Sequence, residues 1–270
     1  MTRSIFITGG GSGIGRAMAR HFAGQGWFVG LADINEQGMA ETGAMLPDGQ
    51  WHKVRLDVTD RAMWDTALSD FSTAAGGRID VLANNAGIAF GGALSTNSQK
   101  EIDALVAVNI TGAIYGAQAV YPHLAKVAPG SCLLNTCSAS GIYGTANMAV
   151  YSATKFAVRG LTEALDIEWA GEDIRVRSLM PGFIDTPLLA GPSNAKTSRT
   201  MHDQVARMGL EFTPVEEVAQ AAWDAVHGDN VHWPVGKTAR KLAFAARWTP
   251  GMLRNKMRAS VQRRARRKGG

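Results

Sequence analysis

Short apolar runs alternate with longer amphipathic segments along most of this chain of 270 residues. A short apolar run predicts a strand buried on both faces, whereas a longer segment with helical periodicity predicts a helix. The predicted strands are Ser4–Thr8, Trp27–Ala32, Trp51–Leu56, Val81–Asn84, Ser131–Thr136 and Val176–Met180, with Val231–Val235 as a candidate seventh. The predicted helices are Ile14–Gln25, Asn35–Met45, Arg61–Ala74, Gln99–Tyr121, Tyr151–Trp169 and Val215–His227. Because such alternation requires right-handed crossovers, we predict an α/β fold with a parallel, doubly wound sheet.

Composition is typical of a soluble globular protein, with 46% hydrophobic residues and 31 glycines. No apolar run approaches the roughly 20 residues of a membrane-spanning helix, and we expect no secretory signal before the first strand. Cys132 and Cys137 lie an odd number of residues apart, so on one strand they point to opposite faces and a disulfide is disfavoured. We therefore expect a cytoplasmic protein.

Charge is unevenly distributed along the chain. Residues 231–270 contain 12 of the 28 Lys/Arg residues and no Asp or Glu, so this end carries about +12. The other 16 basic residues are outnumbered by 23 acidic ones, so residues 1–230 carry about −7. The basic pI of about 9.4 is therefore a property of the C-terminal end.

A glycine-rich turn, Thr8–Gly15, joins the first predicted strand to the first predicted helix. Glycines at this position permit a tight turn and a close approach of the backbone to a pyrophosphate, which the helix N-terminus attracts. Placement between strand and helix favours a phosphate site over a simple flexible turn. The candidate cofactor-binding residues are Gly9, Gly11, Ser12, Gly13, Ile14 and Gly15, in a Rossmann-type sheet of about seven strands.

An acidic residue, Asp33, ends the second predicted strand 18 residues after Gly15. A carboxylate there binds the hydroxyls of an adenine ribose and repels a 2′-phosphate, although it could instead cap a helix. The position before Gly13 holds no basic residue. Both observations favour NAD over NADP, while Arg16 keeps NADP as an alternative.

Polar residues end the third and fourth predicted strands. Asp57 and Val58 are candidates for contact with the adenine edge. Asn84, Ala86 and Gly87 belong to the stretch Asn-Asn-Ala-Gly, in which buried asparagines need hydrogen-bond partners. For this stretch, bracing of neighbouring strands and contact with the cofactor remain equal alternatives.

Tyr151 and Lys155 lie four residues apart, and therefore on one face of a predicted helix. A tyrosine normally titrates near ~10, and a nearby cation lowers its pKa, which suits general acid–base work on an alcohol or carbonyl. Ser138 follows the fifth predicted strand, where its hydroxyl can hold a substrate oxygen beside the phenol. Asn109 lies within a long helical pattern, where an amide is disfavoured unless it serves a turn or a water.

In combination these motifs resemble the short-chain dehydrogenase/reductase family in its common single-domain form. The matching positions are Thr8–Gly15, Asp57, Asn84–Gly87, Asn109, Ser138, Tyr151, Lys155 and Pro181-Gly182, within residues 4 to about 187. The resemblance implies an NAD-dependent oxidoreductase that interconverts an alcohol and its carbonyl compound, with no metal site. An NADPH-dependent carbonyl reductase, or an NAD-binding interaction protein acting through its basic tail, are the alternatives.

The resemblance also implies a role for each catalytic residue. Tyr151 is the general acid or base, and Ser138 orients the substrate oxygen. Lys155 binds the nicotinamide ribose and lowers the tyrosine pKa, while Asn109 holds a water that links Lys155 to solvent. The nicotinamide itself is placed by Pro181, Gly182, Ile184 and Thr186.

Side chains that the resemblance places beside the substrate are Ser138, Ser140, Tyr143, Met148, Tyr151 and part of residues 88–94. None of them is charged. A pocket without a fixed charge favours a neutral, apolar or aromatic substrate, most simply a secondary alcohol. Residues 188–212 are expected to form a lid, although Lys196, Arg199 and Arg207 within it leave an anionic substrate open.

A basic helical extension, residues 237–270, is expected to follow the catalytic domain, residues 1–236. Thr249 and Pro250 predict an N-cap and first helical residue. The stripe Leu253, Met257 and Val261 lies among basic residues, so this segment either docks on the acidic body or a partner subunit, or lies on an anionic membrane. Nucleic acid is disfavoured as a partner.

The helix before it is less regular, because Phe244 and Trp248 share a face with Lys237 and Lys241. Family resemblance further implies a homodimer or homotetramer, formed through the helices after Asn109 and Tyr151. The expected location is the cytoplasm, with peripheral membrane contact through residues 249–270 as an added hypothesis.

Overall fold

A computed structural model of the chain describes residues 2–190, 200–207 and 211–266. Its main sheet contains seven parallel strands in the order β3-β2-β1-β4-β5-β6-β9. The strands of the chain are β1 Ser4–Thr8, β2 Phe28–Asp33, β3 Trp51–Arg55, β4 Val81–Asn84, β5 Cys132–Thr136, β6 Arg175–Pro181, β7 Phe183–Ile184, β8 Phe212–Thr213 and β9 His232–Val235. The predicted doubly wound, Rossmann-type α/β fold is confirmed.

Helices cover both faces of this sheet. Their bounds are α1 Gly13–Gly24, α2 Glu36–Gly43, α3 Arg61–Ala74, α4 Gln99–Val106, α5 Gly112–Val127, α6 Ala149–Glu168, α7 Pro187–Ala190, α8 Met201–Arg207, α9 Val215–His227, α10 Lys237–Trp248 and α11 Pro250–Arg266. Every helix predicted up to residue 227 is present, with ends displaced by a few residues, except that the fourth continues beyond its predicted end. Two short strands, β7 and β8, pair with each other outside the main sheet and were not predicted.

Alternating side chains of β1 show how the sheet builds two cores. Ile5 and Ile7 face α1 and α9, whereas Phe6 between them faces α3 and α5. Large aromatic residues fill both layers, with Phe22 in the first and Trp64 in the second. Burying such side chains stabilises the fold by about 1.5–3 kcal/mol each. The sheet is therefore covered on both faces, as a parallel sheet requires.

The helix predicted as Gln99–Tyr121 runs on to Val127 and contains one π-helical turn, Ala107–Thr111. By length and composition alone, this continuous helix of 29 residues, with an 18-residue window of mean hydropathy 1.3, is long and apolar enough to cross a membrane. It is not an uninterrupted apolar run, because polar residues such as Asn109 and Gln118 lie within it. Its buried residues, among them Leu105 and Val120, pack on the sheet and on α3, so it is a core helix of the domain.

The C-terminal segment folds into two helices. α10 packs Ala239, Leu242 and Ala246 against a third apolar cluster that contains Cys137 and Met180. α11 begins at Pro250, as predicted, whereas the Thr249 hydroxyl donates a hydrogen bond to the Ala245 carbonyl 3.3 Å away and so ends α10. Both cysteines are buried free thiols, as expected.

Candidate active site

The glycine turn meets the N-terminus of α1 at the carboxyl edge of the sheet, where strand order reverses beside β1. Gly9 has a φ of +68°, and a side chain on Gly15 would overlap the Gly9 carbonyl oxygen. Ser12 precedes α1 in an extended conformation, and its hydroxyl caps none of the described first-turn amides. The turn therefore leaves backbone N–H groups directed at the space above the strand ends, as an anion site requires.

Asp33, the last residue of β2, is held against this turn. One carboxylate oxygen accepts a hydrogen bond from the Gly11 amide at 3.0 Å, and the other accepts one from the Asn35 amide at 3.0 Å. The side chain that caps α2 is that of Asn35, which accepts from the Gly38 amide. The alternative of Asp33 as a helix cap is therefore wrong, and its carboxylate lies beside the glycine turn.

Arg16 connects the glycine turn to α2. Its guanidinium donates to the Gly11 carbonyl at 2.6 Å and to Thr42 Oγ1 at 3.0 Å, and it pairs with the Glu41 carboxylate at 3.1 Å. One of these three partners is a carboxylate, which compensates the charge of the guanidinium. The residue that kept NADP as an alternative is thus engaged in joining α1 to α2.

Two adjacent asparagines tie the central strands together. The Asn84 amide donates to the Ala113 carbonyl at 2.7 Å and to Asn135 Oδ1 at 3.3 Å. Asn85 donates to the Thr8 carbonyl at 2.9 Å and accepts from the Thr136 hydroxyl at 3.1 Å. The bracing function that the sequence left open is present, and it fixes the ends of β1, β4 and β5 relative to one another.

Asn109 lies in the π-helical turn, which explains an amide inside a long helix. Its side chain makes a reciprocal pair with Ile88, accepting from the Ile88 amide and donating to the Ile88 carbonyl, each at 2.9 Å. The same amide donates to Thr154 Oγ1 at 3.2 Å. Asn109 thus connects the loop after β4 to helix α6, which carries Tyr151 and Lys155.

The predicted tetrad residues come together at this edge of the sheet. Lys155 is buried, and its ammonium donates to the Thr136 carbonyl at 2.9 Å and lies 5.6 Å from the centre of the Tyr151 ring. Ser138 hydrogen bonds with the Tyr151 phenol, and its hydroxyl oxygen accepts from the Ser140 amide at 3.1 Å. Gly87 lies between Asn109 and Lys155, close to the polar atoms of both.

Burial governs the titration of both groups on α6. Removal of the phenol from water raises the pKa of Tyr151 to about 12, although the hydrogen bond with Ser138 acts in the opposite direction. Burial likewise lowers the pKa of Lys155. In the cofactor-free protein burial is therefore the largest influence on the tyrosine pKa, and the implied lowering of that pKa by Lys155 stays a prediction.

The turn after β6 approaches the glycine turn from the opposite side. A side chain on Gly13 would lie 3.2 Å from Thr186 Cβ, so the two turns are in close contact. Ile184 is buried in β7, and the Gly182 amide donates to the Val235 carbonyl at 3.2 Å. Pro181, the last residue of β6, thus leads the chain across the strand ends toward the N-terminus of α1.

Asp57 and Val58 follow β3 and serve their own turn. The Asp57 carboxylate accepts from the Thr59 amide at 2.9 Å and from its hydroxyl at 2.7 Å. The Val58 carbonyl accepts from the Trp64 indole at 3.0 Å. Both residues lie just beyond the C-terminal end of β3, the strand that pairs with β2.

Two loops that sequence resemblance placed beside the substrate are joined to each other. The Gly92 amide donates to the Asn147 carbonyl at 2.7 Å, which links residues 88–94 to the segment before α6. Ser140 lies within 3.4 Å of the Thr145 hydroxyl, and Met148 immediately precedes α6. Of the expected lid, α7 and α8 are described, whereas Lys196, Arg199 and the Arg207 side chain lie outside the described residues.

Several residues that organise this site were not singled out from the sequence. Thr136 contributes a backbone carbonyl to Lys155, and Thr154 contributes a hydroxyl to Asn109. The Cys137 thiol donates to the Lys155 carbonyl at 3.1 Å, and burial raises its pKa. A threonine at the end of a strand is a weak sequence signal for a site residue. A backbone carbonyl that accepts a hydrogen bond has no sequence signal at all. Among the described residues no cluster of His, Cys, Asp or Glu suits a metal ion.

Comparison with known proteins identifies the family. The family model described as "short chain dehydrogenase" matches residues 3–197. The chain belongs to the short-chain dehydrogenase/reductase family. It is accordingly an oxidoreductase of that family. A meso-2,3-butanediol dehydrogenase of Serratia marcescens is 32% identical over 242 residues, which cover 87% of this chain and 94% of the relative.

Solved structures agree with this assignment. The 3-ketoacyl-(acyl-carrier-protein) reductase from Brucella melitensis complexed with NADH is 30% identical, with a TM-score of 0.74 over 86% of this chain and 95% of that one. A short chain dehydrogenase from Burkholderia cenocepacia in complex with NADP is 22% identical, with a TM-score of 0.78 over 95% of this chain and 97% of that one. The latter shows the fold alone. A nicotinamide nucleotide is the cofactor class of these neighbours, which do not separate NAD from NADP.

Proposed function

We propose that the protein is an NAD-dependent dehydrogenase that interconverts an alcohol and its carbonyl compound. The observation that carries this proposal is the convergence of Tyr151, Ser138, Lys155 and Asn109 at the carboxyl edge of the sheet, beside a turn suited to a pyrophosphate. Bound NAD supplies the hydride acceptor. The protein supplies position, a proton-accepting group and exclusion of water.

Proton transfer would pass through Tyr151. Its phenol shares a hydrogen bond with Ser138, so a substrate oxygen between the two hydroxyls would be held by both. A pKa of about 12 is too high for rapid exchange at neutral pH. The positive charges of Lys155 and of an oxidised nicotinamide ring both act to lower it, so we propose that the tyrosine becomes an effective base only in the loaded enzyme. Asn109 would support a proton relay from Lys155 toward solvent.

NAD is the proposed cofactor because of two features of the ribose end. Asp33 presents a carboxylate beside the glycine turn, where a 2′-phosphate would be repelled, and Arg16 is already paired with Glu41. We assign cofactor contacts to the following residues: Gly9, Gly11, Ser12, Gly13, Ile14, Gly15, Asp33, Asp57, Val58, Asn84, Ala86, Gly87, Tyr151, Lys155, Pro181, Gly182, Ile184 and Thr186.

The proposed substrate is a neutral secondary alcohol with an apolar or aromatic body. Support comes from the two joined loops, where Ser140, Tyr143 and Met148 provide hydroxyl and apolar side chains without a charge. Residues 1–236 would form the catalytic domain, with a lid at about 188–212 and the extension at 237–270.

Assembly is proposed through α5 and α6. Ile114, Phe156 and Ile167 are exposed apolar residues on these helices, and a cavity of about 540 Å³ lies between them. Apolar side chains left uncovered at adjacent positions favour a homo-oligomer, either a dimer or a tetramer. A cytoplasmic location, with peripheral membrane contact through residues 249–270, completes the proposal.

The decisive experiment is a panel of apolar and aromatic secondary alcohols and ketones, monitored by the absorbance of the reduced nicotinamide. Each compound is assayed with NAD and with NADP, in parallel with direct measurement of cofactor binding. We expect oxidation of at least one alcohol with NAD and much slower turnover with NADP. Tight NAD binding without turnover of any compound would instead support an NAD-binding interaction protein.

A further inference from the structure

The two faces of α10 differ sharply. One face packs Ala239, Leu242, Ala243 and Ala246 against the cluster around Cys137 and Ile142, directly behind the turn that carries Ser138. On the opposite face the side chains of Phe244 and Trp248 are 66% and 65% exposed. In the first turn of α11, Met252 is 71% exposed. We call Phe244, Trp248 and Met252 the aromatic face.

Exposure of these three side chains is unusual for a soluble surface. Single exposed apolar residues are common, but the aromatic face presents three large ones at successive four-residue intervals. Tryptophan in particular combines an apolar body with a polar N–H and concentrates where apolar and aqueous phases meet. Its position at the end of α10 leaves it free to enter such a boundary.

Positive charge surrounds the aromatic face. Exposed basic residues on both helices are Lys237, Arg240, Lys241, Arg247, Arg254, Lys256 and Arg258. The Arg247 guanidinium lies 5.2 Å from the centre of a Trp248 ring. Residues 231–266 contain no Asp or Glu, and the described ion pairs from this segment join His232 to Glu163 at 2.8 Å and Lys237 to Glu211 at 3.5 Å. The lysines that share a face with Phe244 and Trp248 therefore lie on the solvent-exposed face of α10. The other face of the helix packs against the protein.

The apolar stripe of α11 has a different partner. Leu253 and Met257 are half-buried, and Met257 and Val261 border a cavity of about 410 Å³ that Tyr143 and Ala146 line from the body of the protein. Arg254 and Arg258 also border this cavity, so the basic residues nearest the aromatic face are those of α10. This stripe, which the sequence offered for membrane contact, thus faces the protein itself. The surface left for an external partner is the aromatic face of the α10–α11 corner.

We propose that the aromatic face binds the surface of an anionic phospholipid bilayer, with Phe244, Trp248 and Met252 entering the headgroup boundary. Charge selects this partner, because the basic residues on both sides complement acidic headgroups. Separate apolar side chains among basic residues suit the disordered boundary of a bilayer better than the defined shape of a folded partner. The inference does not depend on the proposed dehydrogenase activity.

The test is co-sedimentation of the full-length protein with vesicles, without substrate. One set of vesicles contains phosphatidylcholine with about a quarter phosphatidylserine, and the other contains phosphatidylcholine alone. We expect binding to the first set only, weakening as salt is raised toward about 0.5 M. Failure to bind the anionic vesicles at low salt would overturn the proposal.

Two variants, each with its own control, test whether the aromatic face is the surface that binds vesicles. Phe244→Ser with Trp248→Ser removes the aromatic side chains, and Met45→Ser removes an exposed apolar residue at the end of α2. Arg240→Glu with Lys241→Glu reverses two charges, and Arg20→Glu with Lys53→Glu makes the same change of net charge elsewhere. We expect at least about a tenfold loss of vesicle affinity for the first member of each pair. The matched controls should bind as the wild type does.

Other occupants give recognisable results. Light scattering of the same variants measures the oligomeric state, which the proposal predicts to be unchanged. A smaller assembly for Phe244→Ser with Trp248→Ser would show that a second copy of the chain covers the aromatic face, and would refute membrane binding there. Equal losses for a variant pair and its control would do the same, because the effect would then belong to net charge or overall hydrophobicity.

Discussion

The strand-end centre and the C-terminal helices use polar residues in opposite ways. At the strand ends, Asn84, Asn109 and Lys155 are buried, and each has hydrogen-bond partners within the fold. On α10 and α11, basic side chains lie exposed beside the apolar side chains of Phe244, Trp248 and Met252. Polar groups that are buried and fully paired define one geometry, whereas exposed charges beside exposed aromatic rings leave interaction energy for an external partner. We therefore assign the proposed chemistry to the strand-end centre and the proposed membrane contact to the C-terminal helices.

The largest expected effect is on the chemistry of the strand-end centre. Tyr151→Phe removes the hydroxyl that would exchange a proton with the substrate, while it keeps the ring beside Lys155. We expect kcat to fall by about 10²–10⁴-fold. Steady-state kinetics with the best alcohol of the panel measures the loss, and calorimetric titration with NAD checks that binding is retained.

A matched control for that experiment is Tyr115→Phe, which removes a hydroxyl from α5 outside the tetrad. Its kcat should equal that of the wild type. Full turnover by Tyr151→Phe with NAD binding intact would contradict the assignment of Tyr151 as the acid–base group.

The next expected effect is on stability and concerns Asn109. Asn109→Ala leaves the N–H and C=O groups of Ile88 without their side-chain partner. Because a buried polar group without a hydrogen bond costs about 1–3 kcal/mol, the free energy of unfolding should fall by about that amount. Urea denaturation measures it, with the exposed amide variant Asn255→Ala as control. Equal stability of the two variants would mean that water replaces the lost amide.

The strand-end centre could be predicted well because parallel strands bring their carboxyl ends to one edge. Ser4–Thr8, Val81–Asn84 and Arg61–Ala74 have the predicted bounds, and the glycine turn lies where strand–helix alternation placed it. Given that topology, separated signals such as Asp33 and Tyr151 fall on the same side of the sheet. Residue spacing and hydrophobic periodicity are local properties of a sequence, so they can be read before the fold is known.

What could not be predicted depends on contacts distant in sequence. Nothing local indicates that the π-turn directs the Asn109 amide to Ile88, or that the Thr136 carbonyl receives Lys155. Nor does the spacing of Tyr151 and Lys155 reveal that burial raises the Tyr151 pKa in the cofactor-free protein, because spacing identifies a neighbouring charge but does not measure desolvation. On α10, the side-chain period was correct, but which face would remain uncovered depended on the packing of Ala239 and Ala243.

A smaller effect follows from the raised pKa of Tyr151. The folded protein keeps the phenol protonated up to about pH 12, whereas the unfolded chain ionises it near ~10. Stability from this group is therefore present below about pH 10 and is lost as pH rises toward 12. Relative to Tyr151→Phe, the cofactor-free wild type should lose about 1 kcal/mol between pH 9 and 11.

Urea denaturation of both proteins at the two pH values measures that difference, and groups common to both cancel. Identical pH dependence would show that the phenol titrates at its ordinary value in the folded protein. The strand-end centre would then be wetter than its hydrogen bonds indicate.

The smallest expected effect is on the stability of variants in the C-terminal helices. It tests most directly whether these helices and the strand-end centre act independently. If Phe244 and Trp248 are free in the protein, Phe244→Ser with Trp248→Ser should change the free energy of unfolding by no more than about 0.5 kcal/mol per site. It should also leave kcat on a water-soluble alcohol unchanged, since α10 contacts the Ser138 turn through its opposite face. A loss of several kcal/mol would instead place both rings inside an assembled interface. Stability that stays constant while vesicle affinity falls would establish that the two regions are energetically independent, because removing the aromatic side chains would then affect only the external partner.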